Sequence, residues 1–407
     1  MNNKFQLIST INKCLDTEFD KPLELLKDLV SFNSVSFKEG TAIKYLKSKM
    51  IEFGFDEVRI DKLGNVIGRI GDGKTTILYD AHIDIVKPGD EVEWGFNPLK
   101  VQVKDGYAYG RGVVDDKGCL AAITYAGKLI KSICGRTDFT LWILGSVAEE
   151  AVTGACAEAM LYENSDIVPD YILVAEPSES RIIRGHKGKA LIKIIVPGKC
   201  AHASSAWRGD NALVKALPIM EGIDKFDSLG TDGFLGKGTI EVTNVECKAP
   251  SLNTIPGEVT ITCDCRIACG ETAEQLLKRL EPVTSLANGA RSFIETHKVH
   301  TYTGYEIECT DHFPSWVMPD GHEIIRAGRK TYHELFGREP IVDKWDFCTN
   351  GTSLCGRAHI PCIGFGPGDG TLCHSIEEKV SIDEMINAIK FYVLLPFFIC
   401  EEIEETL

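Results

Sequence analysis

Along the first part of the chain, stretches with apolar residues at helical spacing take turns with short continuous apolar runs. The helical spacing predicts helices over 21–31, 40–53 and 118–133, and the apolar runs predict buried strands over 65–70, 75–80 and 138–146. Helices and strands that alternate in this way build an α/β sheet.

After a further apolar run at 171–174 the texture changes. Strand-like segments at 189–196, 239–245 and 258–267 are interleaved with helical patterns at 211–226 and 272–287, the signature of a small α+β insertion. An amphipathic helix over 320–335, an apolar strand over 361–365 and a closing helix from Asp383 then return to the first pattern. The expected division is a first domain made of 1–184 and 303–407, interrupted by an inserted domain over 185–302.

A chain of 407 residues, 44% hydrophobic and 25% charged, is long enough for two cores. Its net charge of −15 argues against a nucleic-acid partner, because phosphate binding concentrates lysine and arginine. The apolar stretch at 391–400 is too short to span a bilayer, and residues 1–13 carry no apolar signal core, so a soluble cytoplasmic protein without a membrane partner is expected. Fifteen cysteines scattered through such a chain read as reduced thiols. Cys263 and Cys265 share one face of a strand, where packing outweighs metal binding as an explanation.

The chemistry gathers where apolar strands end. Ile77-Leu-Tyr-Asp-Ala-His82-Ile-Asp84 puts an imidazole at one such end, with Asp84 on the same side to orient it. Taken alone, this triplet fits a structural histidine. Tyr109-Gly-Arg-Gly-Val-Val-Asp115-Asp116-Lys-Gly118 is a glycine loop with two carboxylates before a helix, where Asp116 is either a simple N-cap or a neighbour to an Asp115 that bridges two cations. Gly145-Ser-Val-Ala-Glu149-Glu150 ends a third apolar strand in adjacent carboxylates, which repel each other unless cations neutralise them. Glu176 ends the run from Tyr171, and His374 follows the strand that reaches Phe365.

These motifs, in this order, resemble the dinuclear metallohydrolase family of aminoacylase, succinyl-diaminopimelate desuccinylase, acetylornithine deacetylase and carboxypeptidase G. The likeness runs over nearly the whole chain and is closest to the peptidase and hydrolase subfamily linked to selenium metabolism. It implies a zinc-exopeptidase-like α/β catalytic domain, a mixed sheet flanked by helices, with an inserted α+β (ferredoxin-like) lid and dimerisation domain. Carried over by motif, it implies two divalent ions per subunit, preferably Zn2+, with Co2+ or Mn2+ as alternatives. His82 and Glu176 would hold one ion, Glu150 and His374 the other, and Asp115 would bridge them. Glu149 would be the general base, Asp84 would orient His82, and the Asp115–Asp116 peptide would be cis.

Arg184-Gly-His-Lys-Gly188 matches the family's entry into the insertion, and Gly198-Lys-Cys-Ala-His202 its histidine loop. His202 would donate to the oxyanion of the transition state, in the same subunit or from the partner of a homodimer. Asn253 matches an Asn-x-x-Pro element that contacts substrate, Arg266 matches an arginine on the following strand, and Gly351 and Thr352 match a glycine-rich substrate loop. Ser353 departs from the acidic residue usual there. Arg111, Arg208 or Arg266 is expected to clamp a substrate carboxylate.

The implied activity is hydrolysis of an amide in a dipeptide or a small N-acyl or N-carbamoyl amino acid, a peptidase or deacylase reaction in which Glu149 takes a proton from a metal-activated water. A catalytically inactive scaffold with the same fold is the alternative. Its expected mark, loss of the base or of a ligand, is absent at His82, Asp115, Glu149, Glu150, Glu176 and His374.

Overall fold

The structure is a computed structural model that describes residues 2–268 and 270–406. Its main sheet has nine strands. At the centre Phe139–Ser146, Thr75–His82, Tyr171–Val174 and Cys362–Gly364 lie side by side and parallel. Both faces are covered, which is why these strands read as continuous apolar runs rather than alternating ones. Antiparallel strands flank this block on both sides, Val66–Ile70 and Glu57–Ile60 on one, Ile182–His186 and Trp316–Val317 on the other. The sheet is therefore mixed.

Lys117–Ile133 is buried along almost its whole length, packed between the sheet and the helices Asp20–Val30 and Ile382–Thr406. Glu323–Phe336 packs against the same C-terminal helix. Strand and helix bounds lie within a few residues of those expected from the hydrophobic pattern.

A second, separate core belongs to the insertion. Gly188–Pro197, Ala212–Asp224, Thr239–Lys248, Glu258–Ile267, Ala273–Thr284 and Arg291–Ile294 follow one another as strand, helix, strand, strand, helix, strand. The strands order so that the first and third are central, a ferredoxin-like arrangement. Every second residue of Gly188–Pro197 and Glu258–Ile267 points into this core. Cys263 and Cys265 are among them, fully buried beside aliphatic side chains, and burial pushes both thiols up to about 12. They fill space.

Several elements had no counterpart in the sequence reading, among them two that complete the first core. Asn2–Thr17 is a helix that packs on the first core through Ile11 and Leu15. Thr296–His300 pairs with Glu306–Thr310 as a hairpin lying across the expected 302/303 junction. Its apolar residues belong to the first core, and the Tyr302 hydroxyl donates to the Gly64 carbonyl at 2.9 Å. No described helix is long and apolar enough to cross a membrane.

Candidate metal centre

All four central strands present their carboxyl ends on one edge, the place where open α/β sheets build sites. His82 ends Thr75–His82, Glu149 and Glu150 follow Phe139–Ser146, Glu176 follows Tyr171–Val174, and the loop after Cys362–Gly364 carries His374. Asp115 and Asp116 come from the glycine loop before Lys117–Ile133, and the peptide between them is cis. Gly112 in that loop has φ +85°, and a Cβ there would stand 2.8 Å from Ile85 Cγ2. Only glycine fits.

Asp115 stands between the two imidazoles. Its Oδ1 is 2.9 Å from His82 Nε2 and its Oδ2 is 3.1 Å from His374 Nε2. Glu176 lies 3.9 Å from His82 Nε2, and Glu150 lies 3.1 Å from His374 Nε2. The result is two groups of possible ligands, His82, Asp115 and Glu176, and Asp115, Glu150 and His374, each with its ligating atoms within 4.8 Å of one another. Glu149 belongs to neither, and its buried Oε1 has no hydrogen-bond partner.

The charges call for cations. Burial drives the carboxyls of Glu149 and Glu176 well above the ordinary range, and burial with the nearby Asp115 also raises Glu150. Burial opposes charge on His82, but Asp115 and Asp84 outweigh it and raise the imidazole. The hydrogen bonds that His374 donates to Asp115 and Glu150 raise its imidazole to about 10. So many carboxylates in one buried place are costly without compensating positive charge. Paired imidazole and carboxylate donors around a shared Asp115 fit two divalent ions.

Asp84 does less for His82 directly than its spacing predicts. His82 Nδ1 is 3.0 Å from the main-chain carbonyl of Asp84 and 3.4 Å from its carboxylate. The carboxylate instead accepts the backbone N–H groups of Glu149 and Glu150 and the Ser36 hydroxyl. Asp116 is not a side-chain cap for the helix that follows; its Oδ2 accepts the backbone N–H of His82 at 3.0 Å.

Of the arginines considered as carboxylate clamps, Arg111 is ruled out. It is 3% exposed and paired with Glu378 at 2.6 Å, and its guanidinium lies under the Trp94 ring. Arg208 is exposed on the insertion. Arg266 pairs with Asp264 at 2.7 Å and lines a cavity of about 430 Å³ with Trp345, Phe347, Asp369 and Pro177, the residue that follows Glu176.

His202 and Asn253 sit together on the insertion. His202 Nε2 is 3.1 Å from Asn253 Nδ2, and its Nδ1 is 2.7 Å from Ser204 Oγ. Both residues face solvent, His202 at the end of the short strand Ala201–His202 and Asn253 in the turn before the strand it pairs with, and their hydrogen bonds reach none of the possible metal ligands. Gly351 and Thr352 are buried, and the Thr352 hydroxyl is committed to the Pro314 carbonyl at 2.8 Å. Ser353 donates to Glu158 at 3.2 Å, so a carboxylate from the helix Ala155–Glu163 stands beside this loop.

Several supporting groups escaped the sequence reading. Asn350 donates to Asp80 and Ser146 and accepts the Gly154 N–H, tying the loop to two of the parallel strands. Glu39 is buried and accepts the N–H groups of Phe37 and Ala148. Lys117 is fully buried, donates to the Phe32 carbonyl at 2.8 Å, and burial pushes it down to about 7. Glu378, one of the acidic pair Glu377-Glu378 after His374, is buried as well, and nothing in the spacing marks it apart from its neighbour.

A family model described as Peptidase family M20/M25/M40 matches residues 78–396. The uncharacterized protein YgeY of Escherichia coli is 36% identical over 400 residues, covering 97% of this chain and 98% of its own. Succinyl-diaminopimelate desuccinylase of Wolbachia pipientis is 28% identical over 385 residues, 91% of each chain. Among solved structures, aminopeptidase PepT of Bacillus cereus shares the fold with a TM-score of 0.73 at 21% identity, over 94% of this chain and 98% of its own. A match that spans both halves of the interrupted domain, together with a whole-length relative, places the chain in peptidase family M20/M25/M40, as a metal-dependent hydrolase of amide bonds.

Proposed function

We propose that the protein hydrolyses the amide bond of a dipeptide or of a small N-acyl or N-carbamoyl amino acid, with Glu149 as the proton carrier. The observation that carries this reading is Glu149 itself: it is buried beside both ligand groups, belongs to neither, and keeps one carboxylate oxygen without a partner.

His82, Asp115 and Glu176 would hold one ion and Asp115, Glu150 and His374 the other, with zinc preferred for this mixture of imidazole and carboxylate. Divalent ions bound there supply Lewis acidity and bring a water's pKa toward neutrality. Glu149, outside both ligand groups and with one oxygen unengaged, is placed to take a proton from the attacking water and return it to the departing amine. Asp84, by fixing the backbone of Glu149 and Glu150, keeps the base and a ligand in register.

His202 donates a hydrogen bond to the oxyanion of the tetrahedral adduct, with Asn253 beside it to contact the substrate. Arg266 offers the substrate carboxylate a guanidinium from the cavity wall, and a cavity of this size suits a small molecule. Two features support a homodimer through the insertion. Trp207, Leu213, Val214 and Leu217 are exposed within one short stretch, and Thr239–Lys248 is an edge strand. A partner copy is then a source of His202 for the site.

The test is a release assay on metal-loaded protein with dipeptides, N-acetyl amino acids and N-carbamoyl amino acids, following free amine and ammonia. Turnover of at least one class is expected. Full metal loading with no hydrolysis of any class sinks the proposal and favours the inactive scaffold.

A further inference from the structure

The loop that brings His374 to the centre has little regular structure of its own. Gly370–Leu372 is a single turn, His374 has φ +63°, and its side chain is 53% exposed. His82, at the end of a buried strand, is 1% exposed. Something other than the loop must hold His374 against Asp115.

A buried ion pair lies between the two. Arg111 donates to Glu378 Oε2 at 2.6 Å, and both side chains are nearly sealed from solvent. The other Glu378 oxygen, Oε1, accepts the backbone N–H groups of Val114 at 3.0 Å and Asp115 at 3.2 Å. A second terminal nitrogen of Arg111 donates to the main-chain carbonyl of His374 at 3.3 Å. One end of the pair holds the backbone of the shared carboxylate, and the other holds the backbone of the exposed imidazole. Both Glu378 oxygens and both terminal nitrogens of Arg111 are engaged in this arrangement, the Arg111 Nε is buried without a hydrogen-bond partner, and the guanidinium lies under Trp94.

A buried pair adds little net stability over apolar residues of the same size, so its retention asks for a reason of geometry. We propose that Arg111 and Glu378 are positioning residues for one half of the metal centre. Together they set the spacing of Asp115 and His374, and with it the affinity for the ion held by Asp115, Glu150 and His374. The ion held by His82, Asp115 and Glu176 depends on them less, because His82 is fixed by its own strand and by Asp116. This inference rests on reading those side chains as ligands.

The experiment is a titration of chelator-stripped full-length protein with Co2+ and with Zn2+, read by calorimetry and by cobalt absorption. Wild type is expected to bind two ions. Glu378→Gln keeps an acceptor for the two N–H groups but loses the ion pair, and it should weaken one site by roughly 10- to 100-fold while leaving the other near wild type. Arg111→Gln should do the same, and the double variant should be no worse than either single one, since the pair acts as a unit.

Two wild-type affinities in both single variants, or equal weakening at both sites, would overturn the proposal. Arg111→Lys keeps the question answerable if Glu378→Gln does not fold, since an ammonium cannot span both Glu378 and the His374 carbonyl; it too should weaken one site only. His374→Ala, run in parallel, separates the two levels. If it still binds two ions tightly, the ligand assignment fails; if it loses one ion and the pair variants lose none, only the positioning inference fails.

Discussion

Asp84 holds the backbone of Glu149: its Oδ1 accepts the Glu149 N–H at 3.1 Å, while its Oδ2 takes the next N–H, that of Glu150, at the same distance. A carboxylate is the only side chain of this size with acceptors on both oxygens. Asp84→Asn turns one acceptor into a donor that faces a buried N–H. A buried N–H left without a partner costs about 1–3 kcal/mol, so this variant should lose stability of that order, measured by urea unfolding of the metal-free protein. It should also lose kcat, because base and ligand shift together. Unchanged stability and kcat would remove Asp84 from the support of the base.

Glu149→Gln should bind both ions as wild type does and lose kcat by roughly 10²- to 10⁴-fold, the range for removing a general base. Metal stoichiometry and steady-state kinetics on one preparation decide it. Loss of an ion would recast Glu149 as a ligand, and wild-type turnover would end its role altogether.

How far the sequence reached depends on what each residue has to do. Buried parallel strands must be apolar on both faces, so the runs ending at His82, Ser146 and Val174 could be read directly, and with them the edge where the chemistry sits. The helix Asn2–Thr17 carries Leu7, Ile11 and Leu15 at a spacing of four, a pattern that the lack of an apolar signal core in the same stretch does not reveal. The supporting groups were hidden for a different reason. Glu377 and Glu378 are adjacent and chemically alike, yet one is exposed and the other is buried against Arg111, a partner 267 residues away in sequence. Arg111, in a glycine loop beside two aspartates, looked like a substrate clamp for the same reason: only the fold shows which partner a charge has.

Removing the ions should reverse the pH dependence of stability. In the metal-free chain Glu149, Glu150 and Glu176 are raised above 4.5 and His374 to about 10, so the folded state binds more protons than the unfolded state. Stability from such groups is full below the unfolded values and falls as pH rises through the folded ones. Asp115, lowered, acts in the opposite sense only below 3.8. Bound ions add about 4 kcal/mol per site at a thousandfold excess over Kd, and protons compete for the same ligands. The gap in Tm between zinc-loaded and EDTA-treated protein should therefore widen from pH 5.5 to 8.5. A gap that stays constant would contradict this charge balance.

His186 offers a pH effect independent of the metals. It is fully buried on the strand that leads into the insertion, packed edge-on against Trp316, with Nδ1 2.8 Å from the Lys187 carbonyl and Nε2 accepting the Thr349 N–H. Burial lowers it to about 4. The unfolded chain, titrating near 6.5, binds the extra proton, so stability is lost as pH falls from 6.5 toward 4, by on the order of 3 kcal/mol at pH 4. His186→Gln should remove that part of the slope in urea unfolding between pH 7 and 4. A variant slope parallel to wild type would mean that His186 is already open to protons in the folded state.

The placement of His202 gives the sharpest test of assembly. Its partners are Ser204 and Asn253, all on the insertion, and none of its hydrogen bonds reaches Asp115, Glu149 or His374. Two routes could bring it to the substrate, closure of its own insertion or delivery from a second copy. Glu149→Gln and His202→Ala are each expected to be nearly inactive alone. Mixed after dissociation and reassembly, they give different answers for the two routes. If His202 acts across a dimer, the site with intact Glu149 in the His202→Ala subunit receives intact His202 from the Glu149→Gln subunit, and each mixed dimer regains one working site. If His202 acts within its own chain, each site still lacks one group and no activity returns. Recovery that scales with the fraction of mixed dimers supports delivery from the partner; full activity in His202→Ala alone would remove the histidine from the reaction by either route.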